Sequence, residues 1–260
     1  MNVECINKGL DQHGYIANTC SVEHIQTEFK GVLGAVIKTL LAEFTGEIHS
    51  IYLYGSIARG TAVKNRSDMD ISVVFLRPLT DENKRKLAVI SARIPEQYSI
   101  ITKLDLDPGH KMEVLQPQEK YRWQFWLKHC CCCIWGDDLS KEFTLLKPNI
   151  KIAFALNSDL ESWVNSIHCD AFESTSDQRG KIIAKKILRT AYYLIAEQDR
   201  SWYVDLNQCG EVAIRYYPES VEHIHQALAL CQSDEASLAQ GMALYQAFGQ
   251  KLALIMKNAN

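Results

Sequence analysis

"YLYGSIARGTAVKNRSDMDISVVF", residues 52–75, holds two apolar runs separated by a stretch of mixed polarity. The first run breaks off at Gly55-Ser56, and the second resumes around Asp68 and Asp70. In that second run Met69, Ile71, Val73 and Phe75 alternate with Asp68, Asp70, Ser72 and Val74. A period of two predicts a strand with one apolar face and one face that carries both aspartates. Ahead of it, "IHSIYLY" at 48–54 is rich in β-branched and aromatic residues and predicts another strand. The stretch therefore reads as strand, Gly-Ser turn, loop and acidic strand.

Two aspartates at i and i+2 on a strand leave the same face, with Cα atoms about 6.5 Å apart. Carboxylates that close repel unless cations lie between them, and hard oxygen ligands suit Mg²⁺, which prefers a site shared with phosphates. Gly55 has no Cβ to keep a phosphate away from the backbone, and Ser56 adds an N–H and a hydroxyl donor. "SIARG" after the turn predicts a short helix whose first amides favour an anion. "SIITKLDLD" at 99–107 predicts a further strand, with Ile101, Lys103, Asp105 and Asp107 on one face, ended by Pro108-Gly109. Asp105 or Asp107 would supply a third carboxylate. These pieces describe a cradle for a metal-bound triphosphate, in which a nearby carboxylate can take a proton from an attacking hydroxyl.

Around this stretch the chain reads as an ordinary globular protein. Of 260 residues, 47% are hydrophobic and 23% charged, which argues against extended disorder. The net charge of −3 gives no global basic footprint, so long nucleic acid is not the expected partner. No apolar stretch approaches the length of a membrane span and the N-terminus lacks a signal-peptide layout, so a cytoplasmic location is expected. The nine cysteines are accordingly expected as reduced thiols, with Cys130 to Cys133 alternating along a strand "CCCCIW" as small buried hydrophobes.

Val22 to Phe44 predicts an amphipathic helix, and residues 80–93 a polar one. From about Ile152 the composition turns helical, in segments beginning "IAFALN", "QRGKII", "ESVEHI" and "EASLAQ". The expected division is a first domain over 1–147 and a helical domain over 148–260, parted at Lys147-Pro148-Asn149.

"YGSIARGTAVKNRSDMDISVVF" resembles the signature of the DNA polymerase beta-like nucleotidyltransferase superfamily. The resemblance implies an α+β fold: a nucleotidyltransferase domain with a mixed sheet, followed by an all-α helical bundle domain. It further implies transfer of a nucleoside monophosphate, with ATP as donor and two Mg²⁺ ions, to an acceptor hydroxyl, releasing pyrophosphate. Asp68 and Asp70 would then be catalytic metal ligands, and Gly55 and Ser56 would hold the triphosphate.

The two-domain layout resembles the streptomycin and spectinomycin adenylyltransferases. By that resemblance Asp105 matches the catalytic base and a third metal ligand, with Asp107 as the alternative ligand. It occupies the place of a glutamate in that group, which shortens the base by one methylene. "ILRTAYYLIAEQ" resembles a bundle helix of the same group, and Lys181, Lys185 and Arg189 align at four-residue spacing. Lys185 and Arg189 are therefore expected cationic contacts of the nucleotide; Arg59, just past the Gly-Ser turn, is expected to contact either the phosphates or a domain-stabilising carboxylate. A small hydroxyl-bearing acceptor, aminoglycoside-like, is the expected second substrate, with antibiotic resistance as the matching role. Modification of a protein or RNA partner, as by nucleotidyltransferases paired with helical toxins, and a silent nucleotide-binding module stay open beside it.

Overall fold

The structure is a computed structural model that describes residues 8–168 and 178–258. They form two compact units, one spanning Asn18–Leu145 and one running from Leu146 onward together with the N-terminal segment up to Ala17.

The first unit is built on a four-stranded mixed sheet. After α1 (Thr27–Glu43) come β1 (Ile48–Tyr54), the short helix α2 (Gly55–Arg59), β2 (Met69–Phe75), α3 (Asp81–Gln97) and β3 (Leu104–His110). Then follow α4 (Lys111–Val114), α5 (Trp123–His129) and β4 (Cys132–Gly136). The sheet order is β3-β2-β1-β4, with β1 antiparallel to β2 and β4 and β2 parallel to β3.

Period-two alternation splits the sheet into two buried faces. Ile51, Leu53, Met69, Ile71, Val73 and Leu104 turn to one side, where they pack with Phe29, Val36 and Leu40 of α1 and Leu87 and Ile90 of α3. Tyr52 and Val74 turn to the other, against Val114, Trp123 and Leu127. Burial of apolar area on both faces is the main force holding this sheet together.

The second unit is all α-helical: α6 (Ile150–Asn157), α7 (Leu160–His168), α8 (Arg179–Tyr193), α9 (Ala196–Asp199), α10 (Leu206–Tyr216) and α11 (Val221–Gln232). α12 (Leu238–Leu244) continues through a π-helical stretch, Tyr245–Gly249, into α13 (Gln250–Asn258). α8 is central, with Ile183, Ile187, Leu188 and Ala191 fully buried. Among the described residues, no helix is long and apolar enough to cross a membrane.

Several sequence expectations shift. The chain divides just before Leu146, and the N-terminal segment expected in the first domain belongs to the helical unit. Backbone hydrogen bonds tie it there, from Trp202 N–H to the Lys8 carbonyl at 2.7 Å and from Ile16 N–H to the Leu146 carbonyl at 2.9 Å. The first helix starts at Thr27 rather than Val22, because Ile25 and Gln26 are extended after a turn of 3-10 helix.

β3 begins at Leu104 and runs through Pro108-Gly109 instead of ending there. It is an edge strand, where a proline without an N–H is tolerated. Cys130 and Cys131 precede β4, so only Cys132 and Cys133 lie on a strand. Cys131 is buried, and all the described cysteines are free thiols; Cys5 and Cys169 lie outside the described residues. α10 escaped the sequence reading, although Asp205 caps it by accepting from the N–H groups of Asn207 and Gln208.

Tyr52 couples the sheet to the segment after β4. Its side chain is fully buried and its hydroxyl oxygen accepts from the Leu139 N–H at 2.8 Å. Tyr52→Phe leaves that N–H without its acceptor, so urea denaturation should show a loss of about 1–2 kcal/mol with an unchanged fold by circular dichroism.

Candidate active site

The turn after β1 is set by a glycine. Gly55 has φ +75°, a region costly for residues with a side chain. A Cβ built there would lie 1.9 Å from Asp70 Oδ2, so the bend is pressed directly against the acidic strand. Gly55 opens α2, the Ser56 carbonyl accepts from Thr61 N–H at 3.0 Å, and Gly60, at φ +72°, ends the helix. The first N–H groups of any helix lack acceptors within it, which leaves such a bend suited to anionic oxygens.

Strand pairing brings the carboxylates together. In the parallel ladder of β2 and β3, Asp70 stands opposite Asp105 and Ser72 opposite Asp107, and neighbouring strands lie about 4.8 Å apart. Asp68 sits just ahead of β2, where the chain is pinned to β3 by Met69 N–H to the Lys103 carbonyl at 2.9 Å and Thr102 N–H to the Ser67 carbonyl at 3.1 Å. The structure therefore gathers Asp68, Asp70, Asp105, Asp107, Gly55 and Ser56 at one end of one sheet face.

The electrostatics follow from this crowding. Asp70 is pushed up to about 7, chiefly by burial and then by the charges of Asp105, Asp68 and Asp107, with Arg59 opposing. Asp107 is also raised: its carboxyl group turns in against Tyr54 and loses water, and the Tyr54 hydrogen bond works in the other direction. Arg59, on α2, lies beside the Cys20 thiol as well as within reach of the Asp70 charge.

Among the described residues no three His, Cys, Asp or Glu side chains are gathered as a ready-made ion cage. Each carboxylate except Asp70 has taken a local partner instead. Asp68 accepts from the Thr102 hydroxyl, Asp105 pairs with Lys103 at 2.6 Å, and Asp107 accepts from Tyr54. The donor set is all oxygen, acidic and self-repelling, which is the chemistry a hard divalent cation relieves.

Tyr54, Thr102 and Lys103 were missed as parts of this site. Lys103 shares the alternating face with Asp105, and that pattern could have found it; Tyr54 needed the strand order. Lys185 and Arg189 lie on α8 of the helical unit, where both charges oppose the upward push of burial on the Cys231 thiol.

Residues 35–123 match the model of the nucleotidyltransferase domain family. Those residues are thus read as a nucleotidyltransferase domain. The protein is an enzyme of that type, whose chemistry is transfer of a nucleoside monophosphate. No curated protein matches the chain by sequence. Among solved structures, spectinomycin adenyltransferase AAD(9) from Enterococcus faecialis, crystallised with ATP and spectinomycin, has a similar fold. The TM-score is 0.54 at 16% identity, covering 87% of this chain and 98% of that one. The likeness thus extends well beyond the nucleotidyltransferase domain into the helical unit.

Two predictions follow from this geometry. Gly55→Ala combines an unfavourable positive φ with a clash at Asp70, so it should cost about 2–3 kcal/mol in urea denaturation. For Asp70, the folded carboxyl keeps its proton up to about pH 7 whereas the unfolded one releases it near 3.8. Between these values the folded state holds more protons, so metal-free stability falls as pH rises. Asp70→Asn removes that effect. In EDTA it should be more stable than wild type at pH 8 by about 2 kcal/mol, and the difference should shrink toward pH 4.

Proposed function

We propose that the protein transfers AMP from ATP, with Mg²⁺, to a hydroxyl of a small aminoglycoside-like acceptor and releases pyrophosphate. The observation that carries this reading is the register of Asp70 against Asp105 with the Gly55 bend packed on Asp70. It joins the polyphosphate seat to the acidic strands without room for a side chain between them. The similarity in fold to spectinomycin adenyltransferase AAD(9) supports ATP as donor and an acceptor of that class.

Asp68, Asp70 and Asp105 would hold Mg²⁺, two ions being the number such a carboxylate set suits. When bound, the metal supplies charge neutralisation and Lewis acidity at the phosphate oxygens and the acceptor hydroxyl. The chain's own residues do the rest. Gly55 and Ser56 seat the triphosphate by backbone N–H groups and the Ser56 hydroxyl, and Arg59 adds a positive charge at the end of α2. Lys103 pairs with the Asp105 carboxylate from an exposed position.

In the transfer the acceptor oxygen forms a bond to the α-phosphorus, while the bond from that phosphorus to the oxygen bridging to the β-phosphate breaks. Pyrophosphate leaves with the bonding electrons, and the acceptor proton passes to the Asp105 carboxylate. Asp105 suits this base role better than Asp107, which is engaged by Tyr54. A site rich in carboxylates also favours the approach of a polycationic acceptor.

Wild-type protein with ATP, MgCl₂ and spectinomycin or streptomycin should release pyrophosphate and yield an acceptor heavier by AMP. EDTA should stop the reaction. Asp105→Asn should lower kcat by about 10³-fold with little change in KM for ATP, in the range expected for loss of a general base. Wild-type protein that turns over no aminoglycoside would reject that acceptor class.

A further inference from the structure

Tyr54 ends β1 opposite Asp70, yet its hydroxyl donates to Asp107, two strands away. Because Asp107 stands opposite Ser72, the phenol ring crosses β2 between Asp70 and Ser72. Trp126 packs edge-on against that ring, with centroids 5.0 Å apart, and donates from Nε1 to Ser72 Oγ at 3.2 Å. The tyrosine is thus held at both ends, by an aromatic wall on its ring and by a carboxylate on its hydroxyl.

The strand it reaches needs such a restraint. β3 is at the sheet edge, paired on one side by β2, and carries Asp105 and Asp107 on the same face. Two carboxylates at i and i+2 would compete for the same cation and the same acceptor proton. They have different partners, Lys103 for Asp105 and Tyr54 for Asp107. A lysine is a flexible surface group that can yield to an incoming ligand. A phenol fixed by ring packing does not yield so readily.

We infer that Tyr54 is a positioning residue for nucleotidyl transfer: by tying Asp107 down across β2, it leaves Asp105 as the one β3 carboxylate free to serve the reaction. The inference rests on the function proposed above. It assigns no new chemical step; it says which of two like groups performs the existing one. It also makes Trp126 part of the arrangement, since the indole sets the tilt of the ring and is itself anchored on β2 through Ser72.

The test compares wild type, Tyr54→Phe, Asp107→Asn and the double variant by steady-state kinetics with MgATP and spectinomycin. Mn²⁺ titration of the metal-free proteins, followed by electron paramagnetic resonance, gives a readout without turnover. Tyr54→Phe keeps the ring against Trp126 and should retain the wild-type circular dichroism spectrum. Its kcat should fall about tenfold while KM for ATP stays within about twofold, as for a misplaced catalytic group. Its Mn²⁺ affinity should rise about threefold, because a further carboxylate joins the site. Adding Asp107→Asn removes the competing carboxylate, so it should return Mn²⁺ affinity to the wild-type value and kcat to that of Asp107→Asn alone, the coupling expected of one linked pair.

Wild-type kcat and Mn²⁺ affinity in Tyr54→Phe would overturn the inference, as would fully additive losses in the double variant. If wild type binds Mn²⁺ but turns over no acceptor, the Mn²⁺ comparison still decides. Wild-type protein that binds no Mn²⁺ would sink the functional reading, and this inference with it.

Discussion

Like charges held side by side are the constraint on which the rest of this structure depends. The parallel ladder of β2 and β3 fixes Asp70 beside Asp105, and apolar burial fixes the ladder. A slip of one residue in β3 would turn Leu104 and Leu106 to solvent and the aspartates into the core, so the register is strongly specified. The core therefore spends part of its cohesion on a cluster of carboxylates that would rather separate. That tension is visible at Asp70, whose carboxyl holds its proton far above the ordinary range.

Three kinds of restraint keep the cluster in place. The backbone restraint is Gly55, whose missing Cβ lets the bend after β1 lie against Asp70. The polar restraints are Thr102, Lys103 and Tyr54, each matched to a different aspartate. The packing restraint is the wall formed by Trp126 and the residues around Tyr52, which closes the same sheet face further along the strands. Together they hold the carboxylates at one end of the face and an apolar cluster at the other. Burial at one end and charge at the other is an arrangement suited to polyphosphate chemistry, where a hard cation and its substrate arrive as a unit.

Much of this was legible in the sequence, because it depends on local spacing. β1 emerged from its β-branched and aromatic residues, β2 from period-two alternation, and the short helix α2 from a Gly-Ser pair where the chain must bend. The acidic face of β2 followed from the same alternation. What was not legible depends on which strands are neighbours. The edge position of β3 explains why Pro108 lies inside it rather than after it, and alternation alone contains no information about edges. The bond from Tyr54 to Asp107 spans three strands, so it needed the sheet order. The N-terminal segment joined the helical unit through backbone hydrogen bonds to Lys8 and Ile16, which side-chain patterns do not announce. α10 was hidden because its start is marked by a single capping aspartate in a polar stretch.

The edge position of β3 has a further consequence for the life of the protein in a crowded solution. An open strand edge is a template on which another chain can extend the sheet, and uncontrolled extension ends in aggregation. Here the exposed rim carries Pro108, which has no N–H to offer, preceded by the carboxylates of Asp105 and Asp107. The same side chains that gather negative charge on this strand also make it an unwelcoming template for a second chain.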